Sequence, residues 1–400
     1  MLAMSADPTG ASATGWQPLR GLRVLDFSQL LPGPYATLAL ADLGADVIRV
    51  EAPQGDMARR FPMAMFRMSN RNKRAVSLDM KHPRAKELVA RLASWADFAV
   101  EGFRPGVAAK LGIDHASLAR INPRLIYCSL SGYGQTGPDR DAPGHELSYL
   151  AAAGSFYLPG HWGEPAKRLG IPIIDLAGGV FAALAMLAAL HERQTTGKGA
   201  YLDLSLHETA LALSTVRSGL EVETEFRNHL WPTNDLFETA DGQVLVFSIV
   251  EDHFWRNFVA AVGDLAPDLA ASEYDSDPGR RAHGDALHAR MHEVLKMLSA
   301  DQWMQRFAGR DVPVQPLQNL AEAGRSPQVA ARATVMERDG EKHVPFPIHV
   351  DGQRGAALRT LAPEIGAHNR EVMKEIGFGE VEIAEYLAAG VCGAKAAEAS

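Results

Sequence analysis

The chain has 400 residues, of which 46% are apolar and 22% charged, with a formal net charge of −8. That length exceeds what one hydrophobic core usually serves, so about two domains are expected, and the apolar share suits a globular enzyme. The acidic balance argues against nonspecific nucleic-acid binding, and the two cysteines, Cys128 and Cys392, offer neither a disulfide framework nor a metal-type pair.

Residues 1–16 are small and polar, lack the basic and apolar regions of a signal peptide, and are expected to be disordered. Residues 22–27 alternate and predict a strand. The turn Leu31-Pro32-Gly33-Pro34 follows, then a small-residue helix over 35–43, capped by Gly44, and a second strand over 45–51. A helical crossover between two strands makes them a parallel pair. The pattern recurs as strand 75–78, helix 83–95, strand 98–101, helix 106–111 and strand 125–130. Such alternation predicts an α/β fold with a Rossmann-like, doubly wound parallel sheet.

The apolar stretch 176–190 falls short of the ~20 residues that span a bilayer and reads as a buried helix reaching Arg193, so no membrane partner is expected. A strand and helix begin at Tyr201. Residues 221–233 break into an irregular polar link, 236–251 predict a hairpin turning at Ala240-Asp241-Gly242, and helices fill 254–307. The resulting division is an N-terminal segment 1–16, a large domain 17–222, a linker 223–234 and a smaller α+β domain 235–330. A return segment to the large domain, 331–390, and a frayed tail, 391–400, complete it, with the cytoplasm as the default compartment.

Chemistry concentrates in two places. Asp175 stands in Ile171-Pro172-Ile173-Ile174-Asp175-Leu176-Ala177-Gly178-Gly179, and burying an unpaired charge is expensive, so such a group is paired, shifted in pKa or functional. His145, in Gly144-His145-Glu146-Leu147-Ser148-Tyr149, offers a second proton-transfer group for the same site. No Gly-x-Gly-x-x-Gly follows the first strand, and neither a Walker lysine, His-Glu-x-x-His nor Gly-x-Ser-x-Gly occurs, so neither a metal nor a redox cofactor is expected. The basic tract Arg67-Met68-Ser69-Asn70-Arg71-Asn72-Lys73-Arg74 is either a phosphate site or a solvated charge run. The loop Ser131-Gly132-Tyr133-Gly134-Gln135-Thr136-Gly137-Pro138 is either a turn cluster or a ligand loop at the carboxyl end of a strand.

Several blocks together resemble the family III CoA-transferase (CaiB/BaiF) family, in its α-methylacyl-CoA racemase-like branch. They are Gly21-Leu22-Arg23-Val24-Leu25-Asp26, Leu43-Gly44-Ala45-Asp46-Val47-Ile48-Arg49-Val50-Glu51, Asn70-Arg71-Asn72-Lys73-Arg74, Asn122-Pro123-Arg124-Leu125-Ile126-Tyr127 and Gly197-Lys198-Gly199. The resemblance implies an intertwined homodimer acting on an acyl-CoA thioester, with coenzyme A as part of the substrate and no separate cofactor. It places Asn70, Arg71, Asn72, Lys73, Gly102, Arg104, Lys110, Tyr133, Gly144 and Tyr149 at the CoA site. It also implies that Lys73→Ala raises KM for acyl-CoA with little change in kcat.

The catalytic group implied is Asp175, with the racemase-type His145 and, in Val250-Glu251-Asp252-His253-Phe254, Glu251. The main expectation is an acyl-CoA racemase or epimerase inverting the α-carbon of a 2-methylacyl-CoA or similar thioester. A thioester acidifies that carbon; His145, supported by Glu251, and Asp175 would face it from opposite sides, with the Gly178-Gly179 backbone receiving the enolate. The alternative is a CoA-transferase that moves CoA between carboxylic acids through an aspartyl-CoA intermediate on Asp175. Ile171 stands where racemases carry Asn, and the block Pro53-Gln54-Gly55-Asp56 resembles the transferases.

Overall fold

The alternation near the N-terminus does form a strand, β1 (Arg23–Asp26). In the computed structural model, which describes residues 15–158, 160–162, 170–220 and 230–393, five more strands pair with it in one sheet. These are β2 (Asp46–Glu51), β3 (Arg74–Ser77), β4 (Phe98–Glu101), β5 (Ile126–Ser131) and β6 (Ala200–Ser205). Every pairing is parallel and the order is β3-β2-β1-β4-β5-β6, the doubly wound Rossmann order.

The crossovers are α1 (Pro32–Asp42), α2 (Met65–Asn70), α3 (Ala85–Trp95), α4 (Val107–Leu111) and α5 (His115–Ile121). They are followed by α6 (Glu146–Ala152), α7 (Ile173–Thr196) and α8 (Leu206–Ser218). Two helices start three residues before the expected positions. The anticipated turn Pro32-Gly33-Pro34 is the first turn of α1, because a missing proline N–H needs no partner there. Helix α7 begins three residues early, so Asp175 lies inside its first turn, and it ends at Gly197 in the left-handed region with φ 68°. At 24 residues α7 is long and apolar enough to cross a bilayer, yet one side, including Ile174, Ala182 and Met186, is buried in the protein.

The chain divides into two compact units, Met1–Leu150, Ile171–Ala210 and Ser326–Ser400 against Ala151–Gly170 and Leu211–Arg325. In the larger unit Leu25, Ile48, Val76 and Ala99 are fully buried with Leu88 and Leu92 of α3. Each large aliphatic side chain so buried contributes about 1.5–3 kcal/mol. Val372, Met373, Ile383 and Tyr386 of the return segment join that core, and so do Val391 and Cys392, so the tail starts later than residue 391. Trp16 donates its N–H to the Gly355 carbonyl at 2.6 Å; the rest of the N-terminal segment, and most of the expected linker, lie outside the described residues.

In the smaller unit β7 (Leu236–Glu238) and β8 (Val244–Phe247) form the hairpin, with Gly242 at φ 74° in its turn. A third strand, β9 (Val314–Pro316), adds antiparallel to β8. Helices α9 (Asp252–Val262), α10 (Asp277–Ala282), α11 (Gly284–Leu295) and α12 (Ala300–Phe307) bury Trp255, Phe258, Met291 and Trp303 against it. Residues 151–170, expected in the large domain, group with this unit. The reason is polar: Asp235 accepts from His161 Nδ1 and from the Trp162 N–H, each at 2.8 Å, and from His288 Nε2 at 3.2 Å.

Candidate active site

Strand order reverses between β1 and β4, and ligands of open α/β sheets bind at the carboxyl ends of strands at such a point. There, the segments after β1, β4 and β5 enclose a cleft of about 250 Å³. Gln29 and Leu30 line it on one side, Gly102 and Arg104 on another, and Gly132, Tyr133, Arg140, Gly144, His145, Tyr149 and Asp175 complete it. Leu30 takes φ 63°, a conformation unfavourable to a branched side chain, and its N–H donates to the Asp56 carboxylate at 3.1 Å.

Asp175 projects from the first turn of α7, and among the described residues its carboxylate has no hydrogen bond or ion pair. Burial pushes that carboxyl up to about 7, and the neighbouring charge of Glu146 adds to the rise. Glu146, the first residue of α6, is buried, and its Oε1 accepts the Ile174 N–H at 3.1 Å. A hydrogen bond from the opening turn of α7 therefore holds a second carboxylate beside the first.

His145 precedes α6; its carbonyl accepts the Ser148 N–H at 2.8 Å, and the residue is exposed at the cleft. Tyr149 wedges the segment in place. Its hydroxyl donates to the Gly144 carbonyl at 2.7 Å and its ring meets Tyr133 edge-on at 5.3 Å. A Cβ at Gly132 or Gly144 would come within 2.6 or 2.7 Å of that ring, so both positions require glycine. Burial, with the Asp175 charge adding, pushes the Tyr149 hydroxyl up to about 12.

The expected site residues thus separate. His145, Asp175, Gly102, Arg104, Tyr133, Gly144 and Tyr149 meet at one cleft. Lys110 is exposed in the last turn of α4 and is not part of the cleft lining. Glu251 belongs to the smaller unit, where it is exposed and precedes α9 without capping it. Gly178 and Gly179 sit beyond the first turn of α7, where helix N–H groups bond within the helix. Their role is close packing: a Cβ would approach Leu206 at 2.4 Å from one and the Pro32 carbonyl at 2.7 Å from the other.

The centre of the basic tract, Asn70-Arg71-Asn72-Lys73, is buried and not a solvated charge run, while Arg67 at its start is exposed. Lys73 Nζ donates to Asp26 at 3.1 Å, the Pro34 carbonyl at 2.8 Å, Thr37 at 2.8 Å and Asn70 at 3.0 Å. Arg71 pairs with Asp42 at 2.6 Å and also donates to the Met68 and Val344 carbonyls. The Asn72 amide donates to Asp42 and the Ala357 carbonyl and accepts the Arg359 and Thr360 N–H groups. Binding a phosphate with these groups would break hydrogen bonds that hold the larger unit together.

Sequence reasoning gave Glu146 no role of its own and passed over Arg140. Glu146 stood in plain view beside His145, but nothing in a linear pattern tells that residue 146 meets residue 174. The fold and cleft are those of an α/β enzyme with a carboxylate, unpaired among the described residues, at the switch point of its sheet. The chain belongs to CoA-transferase family III, whose sequence profile matches residues 19–369. It is similar to an acetyl-CoA:oxalate CoA-transferase of Acetobacter aceti, 32% identical over 91% of this chain and 97% of the relative. It is also similar to a succinyl-CoA:glutarate CoA-transferase of Homo sapiens, 30% identical over 94% of this chain and 90% of the relative. The crystal structure of a CAIB/BAIF family protein from Brucella suis matches with a TM-score of 0.78 and 29% identity, over 90% of this chain and 99% of that one.

Proposed function

We propose that this enzyme is a CoA-transferase in which Asp175 carries the acyl group and then CoA. The observation that bears most weight is the Asp175 carboxylate itself, partly buried in the switch-point cleft without a hydrogen-bond or ion-pair partner among the described residues. The names of the relatives, an oxalate and a glutarate CoA-transferase, support the same reading.

A carboxylate oxygen of Asp175 attacks the thioester carbonyl, the C–S bond breaks, and an acyl-aspartyl anhydride and CoA thiolate result. The thiolate attacks the aspartyl carbonyl, breaking the anhydride C–O bond. The donor acid leaves as its carboxylate and an aspartyl-CoA thioester remains. An incoming carboxylate attacks that thioester, and the released thiolate attacks its acyl carbon, giving the new acyl-CoA and free Asp175. Burial and the Glu146 charge both raise the free energy of the Asp175 anion, and forming a neutral adduct relieves that strain.

Racemisation is the second reading, favoured by His145 lining the same cleft as Asp175. Incubation with a 2-methylacyl-CoA in deuterated water, with and without an acceptor acid, separates the two. Transfer that requires the acid, with a hydroxylamine-sensitive adduct mapped to Asp175, is expected. α-Deuterium exchange without an acid, and no adduct, would overturn the transferase. The homodimer implied by the family resemblance is part of this proposal, and light scattering at working concentration tests it.

A further inference from the structure

We propose that Glu101 is a positioning residue for the acyl-CoA substrate, a buried carboxyl that ties two walls of the cleft together so that they present one surface to the ligand. The inference rests on acyl-CoA being what the cleft receives, as the transferase reading requires. One wall is Gly102-Phe103-Arg104-Pro105, which follows β4; the other is Leu130-Ser131-Gly132-Tyr133, where β5 ends. Glu101 is the last residue of β4, is 3% exposed and is not among the residues that line the cleft.

Each wall reaches this carboxyl through hydrogen bonds. Glu101 Oε2 accepts the Phe103 N–H at 2.8 Å, which fixes the first wall. Glu101 Oε1 accepts the Ser129 hydroxyl. Ser129 Oγ in turn accepts from Gln135 Nε2 at 2.7 Å, which holds the second wall two residues beyond Tyr133. The row crosses three adjacent strands, since Glu101 is in register with Ser129 and Ser129 with Asp203. Asp203 of β6 completes it by accepting the Gln135 N–H at 3.0 Å.

Stability alone gives little reason for an acid at that place. Among the described residues Glu101 has no ion pair. Burial, with the Asp203 charge adding, raises its carboxyl above the ordinary range against the pull of the Ser129 and Phe103 hydrogen bonds. A buried carboxyl without a cation costs stability that an apolar side chain would not. What the carboxyl supplies is two acceptor oxygens, each turned to a different wall, a linkage that no apolar residue can make.

The Kd of CoA is measured by titration calorimetry, beside KM for acyl-CoA, KM for the acceptor acid, kcat and the urea midpoint. Glu101→Ala should raise the CoA Kd and the acyl-CoA KM about tenfold, the size of a lost hydrogen bond to a charged group, with little change in kcat or in the acid KM. Glu101→Gln, which keeps one acceptor oxygen, should recover part of that loss. Gln135→Leu cuts only the second wall's link and should raise the same two constants about fivefold; it decides the matter if Glu101→Ala does not fold. Both links run through one carboxyl, so the double variant should stay near the tenfold of Glu101→Ala, where independent sites would give about fiftyfold. A lowered urea midpoint with an unchanged CoA Kd would make Glu101 merely structural and overturn the proposal, and so would additive losses in the double variant. Wild-type enzyme that binds CoA yet transfers it to no acid would remove the transferase reading and leave this proposal to the Kd series; wild-type enzyme that does not bind CoA would remove both.

Discussion

Two charged clusters in the larger unit invite comparison, one around Lys73 and one around Asp175. Around Lys73 every charge meets its complement: Asp26 pairs with Lys73 at 3.1 Å and Arg49 at 3.4 Å, and Arg71 pairs with Asp42. Burial alone would raise the Asp26 carboxyl, but those cations and the Ser28 and Thr37 hydroxyls bring it down to about 2. Around Asp175 the balance is left open among the described residues: two carboxylates adjoin, one of them unpaired, and an unpaired guanidinium lines the same cleft. Complete pairing fits a structural cluster, and incomplete pairing is what the role proposed for Asp175 would use, although both were conspicuous in sequence.

The comparison breaks most readily at Asp175. Asp175→Ala should lower transfer by roughly 10⁴-fold or more, as loss of a nucleophile does, and abolish the hydroxylamine-sensitive adduct. Retention of a tenth of the activity would remove Asp175 from its role. Lys73→Ala should act on the fold. Removing one partner of a buried ion pair destabilises by about 3–5 kcal/mol, to be read from the urea midpoint. A normal midpoint with a raised KM for acyl-CoA would return Lys73 to the binding site, as the family resemblance had implied.

Stability and activity should move in opposite directions at the functional cluster. The folded-state pKa of Asp175, about 7, lies above its ordinary 3.8, so the folded protein holds a proton there that the unfolded chain releases. Its stabilising effect is complete below pH 3.8 and is lost as pH rises through about 7. Asp175→Asn should therefore be more stable than wild type at pH 8, by about 1–2 kcal/mol after allowance for solvent screening, and the two should converge near pH 4. A melting series across pH checks this, and a variant less stable at pH 8 would contradict it.

The smallest effect belongs to Glu146→Gln. Wild-type transfer should rise with pH through about 7, as Asp175 ionises. Removing the neighbouring charge should shift that acid limb down by roughly half to one unit, while burial keeps it above the ordinary carboxylate range. A kcat–pH profile measures the shift, and an unmoved limb would mean that the two carboxylates do not communicate.

The local pattern alone determined the doubly wound sheet, because alternating and helical apolar periods are written into short stretches such as residues 22–27 and 83–95. It also singled out Asp175, since a carboxylate amid apolar neighbours is conspicuous in any fold. Only the tertiary structure decided which charges are satisfied. Lys73 reads as a free cation until Asp26, 47 positions away, meets it, and Asp175 reads as a lone acid until Glu146 joins α7. His161 and Trp162 were likewise assigned to the large domain until Asp235, more than seventy positions on, claimed them for the smaller unit. Pairing is a long-range property of the chain, and residue composition states which charges are present without stating which remain uncompensated.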